Sequence, residues 1–141
     1  MRPRPPSCQS RQVTLRCLLV DDSRHFLAAA RGLLERQGMV VVGTASTANE
    51  ALRQAQELQP DVTLVDINLG DESGLDLTRE LSRVARATPV ILISTHAEDD
   101  YAGLIAATPA IGFISKTALT ARAIRDLLNG EPAYLTDHDG S

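Results

Sequence analysis

The sequence predicts an α/β fold, a single doubly wound sheet of five parallel strands with five helices. Five short apolar runs alternate with longer segments whose apolar residues recur at helical spacing. The short runs are apolar almost throughout, as expected for parallel strands covered on both faces. Right-handed crossovers leave few other packings for such an alternation. With 141 residues, 43% of them hydrophobic, the chain is long enough for one core of ordinary size.

The five predicted strands are rich in branched apolar residues and are bounded by turn-forming residues. In chain order they span residues 15–20, 39–43, 61–66, 89–94 and 111–116.

The first two helices carry signals for an end and a beginning. Gly38 is expected to close the first helix, because glycine favours the position just past a helix C-terminus. Thr47 and Glu50 have the spacing of a capping box and predict the start of the second. The apolar positions are Phe26, Ala30, Leu33 and Leu34 in the first helix, and Ala51, Ala55 and Leu58 in the second.

The last three helices are bounded by similar signals. Thr88-Pro89 bars continuation of the third helix, and the fourth is predicted at about 99–107. Thr117 is the predicted N-cap of the fifth helix, which runs to Gly130. The apolar positions are Leu77, Leu81 and Val84 in the third helix, and Ala123, Ile124, Leu127 and Leu128 in the fifth.

The chain is expected to divide into one domain and two flanking segments. Residues 1–13 combine proline with positive charge and lack periodicity, which predicts a disordered N-terminal arm. Residues 14–130 form the predicted domain. Residues 131–141 are a short polar tail, with no room for a helix-turn-helix domain.

Composition argues against several classes of partner. The net charge of −4 would repel a nucleic-acid backbone. The longest apolar runs have strand length, which argues against a membrane protein, and no apolar stretch follows the N-terminal arginines as in a signal peptide. We therefore expect a cytoplasmic location. The two cysteines and three histidines lack the spacing of a zinc site.

Carboxylates follow two of the predicted strands. Asp21 and Asp22 come directly after the first strand, and Asp66 ends the third. Because the carboxyl ends of parallel strands share one edge of a sheet, these acids should surround a single crevice. At about 4 Å and an effective dielectric near 20, each like-charge pair costs roughly 4 kcal/mol. The sequence therefore predicts a divalent-cation site, most simply one for Mg²⁺.

Five residues at strand ends resemble the receiver domain of two-component response regulators. They are Asp21 and Asp22, Asp66, the hydroxyl of Ser94 after strand four, and Lys116 after strand five. The spacings match the chemotaxis-type regulators, with 44 positions from Asp22 to Asp66 and 22 from Ser94 to Lys116. The resemblance covers residues 14–129 and implies a flavodoxin-like sheet with strand order 2-1-3-4-5.

The resemblance also implies the chemistry of the acidic site. Asp66 would be the nucleophile that accepts a phosphoryl group as an acyl phosphate. Asp22 and Asp66 would bind Mg²⁺ through side-chain oxygens, with the backbone carbonyl of Asn68 as a third ligand. Asp21 would act mainly through water.

Further roles follow from the same resemblance. Lys116 and Ser94 would hold the remaining phosphoryl oxygens. Ser94 and Phe113 would be switch residues that report phosphorylation, although Phe113 can equally be an ordinary core residue. Asn68 and His96 occupy the positions that tune the lifetime of the acyl phosphate in this family.

Three residues depart from the family pattern. Within residues 66–74, which follow the phosphorylation loop, Gly70 replaces the usual proline. Thr117 replaces the proline that usually follows the lysine, and Pro109 stands where glycine or alanine is common. These departures leave the phosphorylation residues in place and affect the expected output surface.

The primary interpretation is a stand-alone response regulator, a signalling switch and not a classical enzyme. A sensor histidine kinase or histidine phosphotransfer protein would supply the phosphoryl group. Helix four, strand five and helix five would then change conformation, altering the binding of an unidentified output protein or of a second copy of the chain. Direct binding of nucleic acid or membrane is not expected.

Other interpretations stay open. The chain could be the receiver portion of a truncated DNA-binding regulator, or a pseudo-receiver scaffold that never turns over phosphate. A phosphatase of the haloacid-dehalogenase type is a weaker alternative, since Asn68 stands where that class needs a second aspartate. Taken singly, Asp21 and Asp22 could cap a helix, Lys116 could be a surface lysine, and Ser94 or Thr95 could be a turn residue.

Overall fold

The structure is a computed structural model that describes residues 14–84, 88–95 and 102–130. The predictions for the N-terminal arm, for the C-terminal tail and for His96 lie outside these residues. So does the predicted first turn of the fourth helix.

Five parallel strands form the central sheet, and helices connect them. In chain order the elements are β1 (Arg16–Val20), α1 (Arg24–Arg36), β2 (Val40–Ala45), α2 (Ala48–Leu58), β3 (Val62–Asp66), β4 (Asn68–Leu69), β5 (Glu72–Ser73), α3 (Gly74–Val84), β6 (Val90–Ser94), α4 (Ala102–Ala106), β7 (Gly112–Ser115) and α5 (Ala121–Leu128).

The sheet has the order β2-β1-β3-β6-β7, and all its pairings are parallel. Counting only these five strands, the order is 2-1-3-4-5, which confirms the predicted doubly wound fold. Each predicted strand agrees with the observed one to within two residues at either end. Val20 of β1 aligns with Val65 of β3, so the residues that follow them meet at one edge of the sheet.

The core consists of two clusters on opposite faces of the sheet. Leu19 faces α1 and α5 in the first cluster, whereas Leu18 faces α2 and α3 in the second. All residues of β3 and β6 are buried. Apolar residues therefore predominate in these two strands, because side chains on either face of the sheet enter one of the two clusters.

Helix α1 ends as the sequence predicts. Gly38 has a φ of 94°. Its amide donates to the carbonyl of Glu35, and the amide of Met39 donates to that of Leu34. These two bonds form the motif that commonly closes helices at glycine.

The start of α2 follows the predicted capping box only in part. The hydroxyl of Thr47 accepts from the amide of Glu50. The carboxylate of Glu50 accepts mainly from the amide of Ser46, one residue before the expected partner, at 2.8 Å. That bond, with a second from the Ser46 hydroxyl, lowers the pKa of Glu50.

The predicted N-cap of α5 is wrong. Thr117 lies in a 3₁₀ turn, Lys116–Ala118, and the helix begins three residues later, where the hydroxyl of Thr120 accepts from the amide of Ala123 at 3.0 Å. The intervening Leu119 is buried in the core. Burying that leucine separates the turn from the helix.

In α3, Val84 is 40% exposed and does not join the predicted apolar stripe.

None of the helices in the described part of the chain combines the length and apolar character needed to cross a membrane.

Candidate functional site

The three predicted aspartates lie together at the carboxyl edge of the sheet. One carboxylate oxygen from each of Asp21, Asp22 and Asp66 lies within 4.8 Å of the others. Asp21 is fully buried, Asp66 is buried, and Asp22 is exposed. The cluster follows from the parallel pairing of β1 with β3, which brings the ends of both strands to one point.

Lys116 reaches this cluster from the turn after β7, two strands away from β3. Its Nζ lies 2.6 Å from Oδ2 of Asp21 and 3.3 Å from Oδ2 of Asp66. The lysine side chain is only 13% exposed. The ammonium therefore offsets part of the negative charge of the two buried aspartates, Asp21 and Asp66.

Burial and charge crowding shift the ionisation of this site. Burial, reinforced by the charge of Asp21 and partly offset by Lys116, raises the pKa of Asp66 to about 6. Burial alone would lower the pKa of Lys116, but the carboxylates of Asp21 and Asp66 outweigh it and raise that pKa. At neutral pH the carboxylate of Asp66 is thus ionised and faces a charged ammonium.

The donor atoms of the site fit a hard divalent cation. Oδ1 of Asp21 accepts from the amide of Ser23, and the buried Oδ2 forms an ion pair with the ammonium of Lys116 at 2.6 Å. One ammonium faces a cluster of three carboxyl groups, so a further cation would relieve their mutual repulsion. Carboxylate oxygens are the ligands that Mg²⁺ prefers.

Ser94 and Asn68 are placed at the same edge. Ser94 ends β6 and is buried, one position beyond Ile93, which aligns with Asp66. Asn68 follows Asp66 by two residues, and its amide donates to Oδ1 of Asp66 at 3.2 Å. Phe113 of β7 is buried in the second core cluster, on the face that also holds α2 and α3. Its role as a switch residue stays a prediction.

A short hairpin borders the site and is absent from the sequence-based prediction. Strands β4 and β5 pair antiparallel around Gly70, whose φ of 65° is closed to proline. This backbone explains why proline is replaced at position 70. A Cβ on Gly70 would lie 3.2 Å from Oδ2 of Asp22, so the turn rests against that carboxylate. In the sequence, this hairpin is indicated by the turn-forming pair Gly70-Asp71.

The hairpin is tied to the neighbouring helix. Oε1 of Glu72 accepts from the amide of Ala48, the first residue of α2, at 2.8 Å. The amide of Gly74, directly after the hairpin, donates to the carbonyl of Ile67 at 2.8 Å. The first bond ties the hairpin to α2, and the second joins the end of the hairpin to Ile67, the residue directly after Asp66.

Comparison with known proteins identifies similarities over most of the chain. A family model described as the response regulator receiver domain matches residues 17–129. The transcriptional regulatory protein LiaR of Bacillus subtilis is 31% identical over 122 residues, which are 84% of this chain and 58% of that relative. The chain thus spans little more than half the length of the curated relatives it matches.

Solved structures show the same similarity in three dimensions. A two-component response regulator of the LuxR family from Aurantimonas sp. SI85-9A1 matches with a TM-score of 0.77 and 30% identity, covering 85% of this chain and 89% of that one. A response regulator protein from Burkholderia pseudomallei matches with a TM-score of 0.70 and 25% identity, covering 81% and 66%. That structure contains a phosphorylated aspartic acid, a calcium ion and citrate.

Proposed function

The chain belongs to the family of response regulator receiver domains, and we propose that Asp66 is its phosphoryl acceptor. Receiver domains take phosphoryl groups from histidine kinases and act in signalling, without being classical enzymes. This family membership argues against the alternative of a phosphatase of the haloacid-dehalogenase type.

The observation that carries the proposal is the contact between the carboxylate of Asp66 and the ammonium of Lys116. Asp66 Oδ2 lies 3.3 Å from Lys116 Nζ, and the same ammonium lies 2.6 Å from Asp21. An oxygen of Asp66 would attack the phosphorus of a phosphohistidine. The new O–P bond forms as the N–P bond breaks, and the imidazole leaves with its electron pair and takes a proton from water. Lys116 offsets the phosphoryl charge during the transfer.

The residues that would hold Mg²⁺ are the carboxylates of Asp22 and Asp66, the backbone carbonyl of Asn68, and Asp21 through water. When bound, the ion supplies positive charge between the incoming phosphoryl group and the carboxylate. Ser94, buried at the end of β6, would donate to a phosphoryl oxygen.

Borohydride trapping tests the assignment of Asp66. Protein is incubated with acetyl phosphate and Mg²⁺, reduced with borohydride, digested and sequenced by mass spectrometry. Reduction of the acyl phosphate should convert residue 66 to homoserine, and Asp66→Asn should yield no homoserine anywhere. Trapped product at Asp21 or Asp22, or none in the wild type, would contradict the assignment.

Magnesium should stabilise the folded protein. At a concentration tenfold above the dissociation constant, binding to the native state adds about 1.4 kcal/mol to the free energy of unfolding. For a domain of this size the melting temperature should then rise by roughly 4–8 °C. The measurement is thermal unfolding with 10 mM MgCl₂ against NaCl of equal ionic strength. Asp22→Asn, which alters an exposed ligand, should abolish the shift; an equal shift in both salts would argue against the metal site.

The output of the switch is proposed from the fold. Ser94 and Phe113 lie on β6 and β7, so a change at the site could pass to the surface of α4, β7 and α5, where an output protein or a second copy of the chain would bind. A histidine kinase or phosphotransfer protein would be the donor.

A second candidate is the receiver portion of a DNA-binding transcriptional regulator. It is favoured by LiaR, which is a transcriptional regulatory protein of which this chain matches 58%. Reading the genomic open reading frame past the codon for Ser141 distinguishes the two: a DNA-binding domain encoded in the same frame would support the transcriptional regulator.

A further inference from the structure

Phe26 contacts the ammonium of Lys116, although the two residues lie far apart in the sequence. The Nζ atom lies 4.3 Å from the centroid of the Phe26 ring. This distance is within the range of a cation–π interaction, and such interactions strengthen when the cation is withdrawn from water. With its side chain 13% exposed, Lys116 meets that condition.

The ring of Phe26 is held in place by α1 and by the core. Phe26 lies in the first turn of α1, where its amide donates to the N-cap hydroxyl of Ser23 at 3.2 Å. The half-buried ring also packs against the first core cluster. Its position is therefore set by the start of α1 and by packing against the core.

From this contact we propose that Phe26 is a positioning residue for Lys116 in phosphoryl transfer. Asp21 and Asp66 also attract the ammonium, but a metal ion or a phosphoryl group would compete for their oxygens. The ring carries no ligand atoms for either, so its attraction for the ammonium persists when the site is loaded. Phe26 thus keeps Lys116 at the site in every state of the reaction cycle. The inference rests on the proposed acceptor role of Asp66.

The test compares Phe26→Leu with Phe26→Tyr. Leucine removes the aromatic face, whereas tyrosine keeps it. At saturating Mg²⁺, the rate of phosphorylation by acetyl phosphate should fall roughly three- to thirtyfold in Phe26→Leu, the range expected for a desolvated cation–π contact. Phe26→Tyr should restore the rate to within about twofold of wild type on the same grounds.

A spectroscopic readout separates positioning from general destabilisation. In metal-free protein the Hε resonances of Lys116 should be shifted upfield by the ring current in the wild type and in Phe26→Tyr, and should lose that shift in Phe26→Leu. Leu33→Ala is the packing control, since it removes an apolar side chain from the same helix two turns further on. It should lower the melting temperature without changing the rate or the Lys116 resonances.

Three outcomes overturn the inference: a wild-type rate in Phe26→Leu, an equal slowing in Phe26→Tyr, or Lys116 resonances that do not respond to loss of the ring. Failure of the proposed function looks different, because the wild type itself would then take up no phosphoryl group while the ring-current shift could persist.

Discussion

The Asp66→Asn variant is expected to be more stable than the wild type in metal-free buffer at pH 7.5, by about 2–3 kcal/mol in the free energy of unfolding. Burial and the neighbouring charge of Asp21 raise the pKa of Asp66 from 3.8 to about 6. A shift of one pKa unit corresponds to about 1.4 kcal/mol. Asparagine removes the buried charge. The wild-type aspartate would therefore lower the stability of the fold in exchange for its proposed function.

The effect should depend on pH with a definite sign. Below about pH 4, Asp66 is protonated in both the folded and the unfolded protein, and the two variants should differ little. Between about pH 4 and pH 6 the folded wild type binds more protons than the unfolded chain, so its stability falls as the pH rises. Above about pH 6 the difference between the variants should be constant.

Urea unfolding of both variants in EDTA, from pH 4 to pH 8, measures this difference. Asp71→Asn is the matched control, because it neutralises an exposed carboxylate on the neighbouring hairpin; its stability should follow the wild type at every pH. The stability difference between Asp66→Asn and wild type could instead be independent of pH or have the opposite sign. Either result would show that the folded structure does not raise the pKa of Asp66.

Most of the fold was predictable because its signals are local. The inner strands β1, β3 and β6 are predominantly apolar and almost wholly buried, and a strand with both faces buried needs apolar residues regardless of its neighbours. The positions of Asp21, Asp22 and Asp66 followed from the parallel arrangement alone. A residue at the end of a strand can be placed at an edge without knowing any side-chain contact.

The features that sequence reasoning missed depend on contacts between distant segments. Thr117 and Thr120 are equally good N-caps by composition, and the choice between them is made by the burial of Leu119. The strands of the hairpin have two residues each, too few to show a periodicity. The ring of Phe26 contacts Lys116 because the start of α1 and the turn after β7 both lie at the carboxyl ends of the strands.

Gly74→Ala is expected to destabilise the protein by about 3 kcal/mol or more, close to the upper range for overpacking. Gly74 begins α3, and a Cβ at this position would overlap the backbone carbonyl oxygen of Asp66 and would lie 2.9 Å from the Cα of Ile67. The obstruction is backbone and cannot rotate away. Gly74 cannot retreat either, because its carbonyl accepts from the buried hydroxyl of Thr78 and its amide donates to Ile67.

The same substitution at another helical glycine should have the opposite effect. A Cβ on Gly103 of α4 would have no neighbouring atom within 4 Å among the described residues, so Gly103→Ala should stabilise the helix by up to about 1 kcal/mol. Urea unfolding of the two variants at pH 7.5 measures both changes. Because relief of the overlap at Gly74 has to displace Asp66 or Ile67, the surviving folded protein should also lose its thermal response to Mg²⁺. A Gly74→Ala variant with wild-type stability and an unchanged Mg²⁺ response would show that the backbone after Asp66 is not held as tightly as these bonds indicate.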